Sequence, residues 1–157
     1  MKQPQGRRTS SALYTIDGVL IAPVPVDCDD SSLHRLKGNI LDTVHGGSCR
    51  SVLLDVSGLE WMDLSMYAAL VETVRLVGLL GARCVFTGFQ PGVVSALIDM
   101  DITGDALECV ATMEEGLALL RGDRLAREAG DDDQSEALEN LDDDAAELPQ
   151  GSAGVQS

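Results

Sequence analysis

The chain is poor in aromatic and basic side chains, and it has no long apolar run. Phe, Tyr and Trp make up 3% of its 157 residues, whereas 45% are hydrophobic, so a core must be built from Val, Leu, Ile, Ala and Met. No apolar run approaches the roughly 20 residues that cross a bilayer. Lys2, Arg7 and Arg8 are not followed by an apolar stretch, which argues against a secretory signal. These features predict a cytoplasmic protein with one compact domain, preceded by a flexible segment over residues 1–10.

Basic residues are too few to balance the acidic ones. The chain has 26 Asp and Glu against 11 Lys and Arg, a formal net charge of −15, so repulsion from phosphates argues against nucleic acid and anionic membrane as partners. From Gly122 onward, eleven acidic residues accompany two arginines. With few large apolar side chains, residues 122–157 are predicted to form an acidic, disordered tail. That tail would either aid solubility or act as a tether or decoy for a basic partner surface.

Patterns typical of catalytic or metal sites are missing from the sequence. The four cysteines form no C-x-x-C pair and are interpreted as reduced, mostly buried thiols rather than zinc ligands. His34 and His45 are expected on the surface of one helix. The sequence has no glycine-rich phosphate loop, no G-x-S-x-G elbow and no H-E-x-x-H motif. We therefore expect no catalytic residue, no metal and no cofactor.

Residues 11–121 alternate between strand-like and helix-like patterns. ALYTI and GVLIAPVPV flank Asp17-Gly18, which is a strong hairpin signal. Pro23 and Pro25 remove ladder donors, so the second strand is predicted to be interrupted or partly at an edge. The Asp and Ser residues at 29–32 then supply N-cap chemistry for a first helix.

The remainder of this region repeats strand and helix three times. The predicted elements are SVLLDV (51–56), a helix from 63 to about 80, CVFTGF (84–89), a helix from 90 to about 100, ALECV (106–110) and a helix from 112 to about 121. This order predicts an α/β domain with a mixed, mostly parallel sheet of about five strands and about four helices packed on it.

The stretch LEWMDLSMYAAL (59–70) places polar residues where an apolar helix begins. Asp63 fits an N-cap, and Ser65 follows two positions later. A helix N-terminus stabilises negative charge, so phosphate on Ser65 would be tolerated there and could repel a partner that docks on Leu64, Met66 and Tyr67. The alternative is that Asp63 is an ordinary cap with no further role.

The central segment DVSGLEWMDLSMYAALVETVRLVGLLGARCVFTGFQPGVVSALIDMDI (55–102) resembles the STAS domain of anti-sigma factor antagonists and stressosome scaffold proteins. The likeness lies in the acid that opens the second helix and in the LGARCVFTGFQP segment (80–91), and it extends over about residues 11–121. It implies a single STAS domain with a non-catalytic role. Such proteins assemble with sister STAS proteins that carry sensory domains, and their large complex holds a serine/threonine switch kinase that phosphorylation releases.

The resemblance also implies site residues, with one departure. In this family the phosphorylated hydroxyl directly follows the acid, but here Leu64 occupies that position and Ser65 comes one residue later. Either a shifted helix start brings Ser65 into place, or control does not use phosphorylation of this subunit, or the docking surface is permanently unphosphorylated. Asp30 falls where sensory sister proteins tend to carry a second phosphorylatable hydroxyl, so it would supply a fixed negative charge.

Two other functions stay open on sequence alone. The chain could be a free anti-sigma factor antagonist that captures an anti-sigma kinase in a one-to-one complex. A function from another class is an enzyme that uses a cysteine or Ser65 as nucleophile, although no histidine base is evident near Ser65 in the sequence.

Overall fold

The computed structural model describes the backbone of residues 12–144 and the side chains of residues 12–130. Within them the elements follow the predicted order, namely β1 (Tyr14–Ile16), β2 (Val19–Pro23), α1 (Asp30–His45), β3 (Ser51–Asp55), α2 (Leu64–Leu79), β4 (Arg83–Thr87), α3 (Pro91–Asp99), β5 (Cys109–Val110) and α4 (Met113–Asp144). The strands form one sheet in the order β1-β2-β3-β4-β5. Its first pair is antiparallel and the others are parallel. The predicted mixed α/β fold is confirmed.

The first two strands form the predicted hairpin. Tyr14 pairs with Ile21 and Ile16 with Val19, which leaves Asp17-Gly18 as the two-residue turn. Both turn residues have positive φ, 50° and 79°, as a type I′ turn requires. Hairpin prediction from the Asp-Gly pair is therefore confirmed.

Both faces of the sheet are covered by helices. Successive side chains along each strand point to opposite faces, so each face has its own cluster of strand residues. On one face, α1, α2 and α3 bury a cluster that includes Leu20, Val52, Leu54 and Phe86. On the opposite face, Leu120 of α4 packs with a second set of strand residues, Val19, Ile21, Leu53 and Val85. Burial on two sides explains why β2, β3 and β4 are almost continuously apolar in sequence.

Of the two alternatives predicted for the second strand, its interruption at the prolines is confirmed, and its position at an edge was wrong. β2 lies inside the sheet between β1 and β3, and it ends at Pro23. A proline at the end of a strand costs little pairing, and the next residue restores it when the Val24 amide donates to the Asp55 carbonyl at 2.8 Å.

The last helix is much longer than predicted. It runs to Asp144 instead of ending near Arg121, so residues 122–144 of the predicted acidic tail have helical backbone. The segment RLAREAG is rich in Ala, Leu, Arg and Glu, which favour helix strongly enough to outweigh the acidic composition. The predicted disorder of residues 145–157 lies outside the described residues, as does the predicted flexibility of residues 1–10.

Contacts divide the chain into two units, Met1–Gly122 and Asp123–Ser157. In the second unit Arg124 pairs with Glu128 one helical turn away, at 3.7 Å. No helix in the described part of the chain is both long enough and apolar enough to cross a membrane.

Candidate functional site

The candidate site begins with the cap of α2. Asp63 has extended backbone, and its Oδ1 accepts a hydrogen bond from the Met66 amide at 2.8 Å, which satisfies an amide that the helix leaves unpaired. Leu59 and Met62, both buried, hold the preceding loop against the core. Helix α2 therefore starts at Leu64, immediately after the acid, and Ser65 is its second residue.

The loop before α2 is held close to the loop after β4. Gln90 Nε2 donates to the Ser57 carbonyl at 3.1 Å, and the Ser57 amide donates to Asp55 Oδ1 at 2.9 Å. Gly88 has φ +82°, and a Cβ there would lie 2.7 Å from Ser57 Cβ, so the two loops approach closely only because this residue is glycine. The segment TGFQP (87–91) thus positions the loop that leads into Asp63.

The structure exposes most of the predicted docking residues but not Met66. Asp63 and Ser65 are exposed, Leu64 is 61% exposed, and Tyr67 is half-buried. Met66 is 4% exposed and belongs to the core, so its assignment to the surface was wrong. It precedes Leu70 by one helical turn and shares its inward face, whereas Leu64 points away.

Asp30 and Ser65 lie on the same side of the molecule. Asp30 is the exposed first residue of α1, with Asp29 as the cap, and it lines a cleft of about 150 Å³ between α1 and α2 with Lys37 and Ala69. Ala69 follows Ser65 by four residues, so the two share a face of α2. The Lys37–Glu72 ion pair, 2.9 Å long, joins α1 and α2 further along these helices.

Two exposed apolar residues were missed by the sequence prediction. Trp61 is 60% exposed just before the cap, and Val26 is 64% exposed in the loop after β2. A Cβ at Gly58 would lie 3.1 Å from Val26 Cγ2, so these two loops are in contact. The signal for Trp61 was the spacing in LEWM, where Leu59 and Met62 are the loop's two anchors and Trp61 is left outside.

The described residues offer little nucleophilic or metal chemistry. Burial raises the pKa of Cys28 to about 11 and that of Cys84 to about 12, with the Asp29 and Glu108 carboxylates adding to the respective shifts. The pKa values of Cys49 and Cys109 are also raised, chiefly by burial. All four thiols are therefore protonated at neutral pH, whereas nucleophilic attack needs a thiolate. Cys49 and Cys84 are buried and Cys28 is partly buried, as the sequence interpretation expects for most of the cysteines, whereas Cys109 is the exception and is exposed.

Neither a metal site nor a base for Ser65 is found in the described part of the chain. Among those residues, no group of three or more His, Cys, Asp or Glu side chains could hold a metal ion. His34 lines the cleft beside Asp30, and no hydrogen bond joins Ser65 to a histidine within residues 12–130.

Comparison with known families identifies the domain. The family model described as the STAS domain matches residues 10–105, which include the whole sheet up to β4 and the capped helix α2. The chain belongs to the STAS domain family. The recognition of this family from the sequence is confirmed.

Relatives of this STAS domain include signalling proteins. It is 22% identical over 101 residues to the RsbT co-antagonist protein RsbRA of Bacillus subtilis (strain 168), and this match covers 64% of the chain but 37% of that relative. The chain thus spans little more than a third of its curated relative.

Solved structures of the same fold extend the comparison. This STAS domain is 26% identical to an RsbS variant of Moorella thermoacetica, with a TM-score of 0.62 over 74% of this chain and 97% of the other. It is 27% identical to a chain of a stressosome structure, with a TM-score of 0.61 over 74% and 99% of the two chains. The anti-sigma factor antagonist SpoIIAA is 17% identical, with a TM-score of 0.57 over 71% and 96%, and shares the fold.

Proposed function

We propose that this STAS domain is a non-catalytic scaffold of a stressosome-like signalling complex. It binds sister STAS sensor proteins of the RsbR type, holds a serine/threonine switch kinase of the RsbT type, and forms a large hetero-oligomer with them in the general stress response. The similarity to RsbS and to a stressosome chain supports a partner-switching role. It extends over nearly the whole length of those two proteins.

One observation carries the proposal. Trp61 and Leu64 expose large apolar side chains on either side of Asp63, which is itself held by its hydrogen bond to the helix. Exposed aromatic and aliphatic side chains on a rigid element are typical of protein docking surfaces rather than of catalytic sites. The raised pKa values of the thiols also argue against an enzyme that uses a cysteine nucleophile.

Co-expression with a sister STAS protein and the cognate kinase tests the scaffold. We expect large particles that retain the kinase on size-exclusion chromatography and are visible by electron microscopy. Elution as a monomer under every co-expression condition would contradict the proposal. A tight one-to-one complex with the kinase and no particle would favour the free anti-sigma factor antagonist instead.

Ser65 is the proposed phosphoacceptor within that scaffold. It is exposed at the second position of α2, where the helix N-terminus stabilises added negative charge. The helix start is not displaced relative to Asp63, so phosphorylation would have to use this second position, since Leu64 cannot accept phosphate.

Incubation with the kinase and ATP, followed by peptide mass mapping, tests Ser65 directly. We expect phosphate on Ser65, and we expect Ser65→Asp to weaken kinase retention, whereas Ser95→Asp on the exposed side of α3 leaves it unchanged. Phosphate at another residue, or none, would rule out Ser65 as the phosphoacceptor. Either result would mean that the docking surface around Ser65 is permanently unphosphorylated.

A further inference from the structure

An apolar patch bordered by acids lies at the carboxyl ends of the parallel strands. We define the Trp61 face as Val26, Trp61 and Leu64, each at least 60% exposed, with Asp27, Asp30 and Glu60 at its border. The loops after β2 and β3 supply these residues and touch each other at Gly58. A face of this composition fits an occupant that combines positive charge with apolar or planar groups.

Within residues 12–130, no ion pair is formed by the border acids of this face, although Lys37 and His34 line the same cleft as Asp30. The segments 24–32 and 57–65 contain five acids and no Lys or Arg. Nearby Arg35 on α1 bonds to Ser32. The pKa of the cap Asp29 is lowered chiefly by its hydrogen bonds from Ser32 and Ser31, and Arg35 adds least. The ion pairs Lys37–Glu72, Arg83–Glu108, Arg121–Asp17 and Arg124–Glu128 lie elsewhere.

The topology places the start of the described chain, which directly follows a basic segment of the sequence, at the same edge. Because β1 is antiparallel to β2, with Tyr14 opposite Ile21, the chain before Tyr14 joins the sheet at the carboxyl ends of the parallel strands. Leu13 packs against the core beneath α1, α2 and α3, which is the side that carries the Trp61 face. Residues 1–12 contain Lys2, Arg7 and Arg8 and no acid.

The length of this segment is sufficient. An extended chain spans up to about 3.3–3.6 Å per residue, so the six residues from Arg7 to Leu13 can reach about 20 Å. Neighbouring strands are about 4.8 Å apart, which places the end of β3 about 10 Å from β1. Either arginine can therefore reach the end of β3, where the loop that carries Trp61 begins.

We propose that residues 2–8 dock on the Trp61 face of their own chain, with Arg7 or Arg8 stacked on the Trp61 indole and Lys2 near the acidic border. The segment thereby competes with any protein that binds this face. The competition rests on the proposed function, whereas the docking itself does not.

Trp61 is the single tryptophan of the chain, so its fluorescence reports occupation of the face. We expect acrylamide to quench Trp61 more strongly in full-length Lys2→Gln/Arg7→Gln/Arg8→Gln than in the unmodified chain at low ionic strength. Removal of three exposed charge contacts lowers the ratio of docked to free segment about tenfold. The difference should vanish at about 1 M NaCl, where the Debye length is about 3 Å.

A matched variant, Arg50→Gln/Arg75→Gln/Arg127→Gln, removes the same charge from exposed positions elsewhere and should quench like the unmodified chain. Equal quenching in all three proteins, or an equal rise in both variants, would overturn the docking. A difference that disappears on dilution would assign the occupant to a second copy and overturn docking within one chain.

Quenching needs no kinase, so its result is independent of the scaffold proposal. Unchanged kinase retention in the Lys2, Arg7 and Arg8 variant, with changed quenching, would overturn the competition alone.

Discussion

At the scale of single residues, Trp61 and Leu64 are the strongest candidates for partner contacts. Truncation of a hot-spot side chain costs more than 1 kcal/mol of binding energy, and 1.4 kcal/mol is a factor of ten in affinity. We expect Trp61→Ala and Leu64→Ala each to weaken retention of the kinase or the sister STAS protein about tenfold, measured by pull-down titration. The control is Leu79→Ala, 83% exposed at the other end of α2. An equal loss in the control would show that the effect is not specific to this face.

The carboxylate of Asp63 has a structural role that can be separated from docking. Loss of an N-cap costs about 1 kcal/mol, and Asn preserves most of it. We therefore expect Asp63→Ala to lower the free energy of unfolding in urea by about 1 kcal/mol, and Asp63→Asn to lower it by less. Asp27→Ala removes an equal charge from an exposed loop and should change stability little. If Asp63→Asn unfolds as easily as Asp63→Ala, the hydrogen bond to Met66 is not the cause.

These residues also show what local chemistry can predict. Asp63 was placed correctly as a cap, and the cap of α1, Asp29, lies among the four polar residues predicted to supply it, because capping depends on the few residues next to the helix start. Met66 was misplaced and Trp61 was missed, since their exposure depends on the rotation of α2 and of its preceding loop against the sheet. That rotation is set by tertiary packing and not by the cap.

At the scale of elements, the packing of α4 on the sheet depends on one glycine. A Cβ at Gly116 would lie 2.6 Å from Leu53 Cδ1 and 3.2 Å from Val110 Cγ2, and Leu53 is fully buried with little room to move. Overpacking costs about 1–3 kcal/mol, against about 1 kcal/mol gained when Ala replaces Gly in a helix. We expect Gly116→Ala to destabilise the protein by about 1 kcal/mol in urea unfolding.

The same helix offers a control for this substitution. Gly122 has no atom within 4 Å of an added Cβ, so Gly122→Ala should stabilise the protein by about 0.5–1 kcal/mol through helix propensity alone. If both substitutions stabilise, α4 does not pack closely on β3.

Element boundaries were predictable where turn chemistry is strong. The Asp17-Gly18 hairpin agrees with the structure, because glycine and aspartate tolerate positive φ. β5 shrank from five predicted residues to Cys109–Val110, and α4 continued past Arg121. Both differences arise where no strong turn signal fixes the boundary and where weak strand and helix preferences compete with packing.

At the scale of the whole molecule, the order of strands and helices sufficed to predict the fold class. Alternation of apolar strands with helical patterns leaves few topologies, since crossovers between parallel strands place helices on the faces of the sheet. The position of β2 inside the sheet was not predicted, because two prolines suggested an edge. Sheet order is decided by which strands pair over long distances, and local preferences for single residues carry little of that information.

The net charge of −15 has a consequence for stability that also belongs to the whole molecule. Like charges repel more strongly in a compact chain than in an expanded one, so excess negative charge destabilises the folded state. Salt screens that repulsion, since the Debye length falls from about 30 Å at 0.01 M to about 8 Å at 0.15 M. We therefore expect the free energy of unfolding in urea to rise over this range of NaCl.

Choline chloride at equal ionic strength should act alike if screening is the cause. The variant Asp42→Asn/Asp99→Asn/Asp105→Asn, which neutralises three exposed acids outside the Trp61 face, should be more stable than the unmodified chain at low salt and less sensitive to salt. A fall in stability with added salt would mean that the ion pairs, such as Lys37–Glu72, outweigh the repulsion.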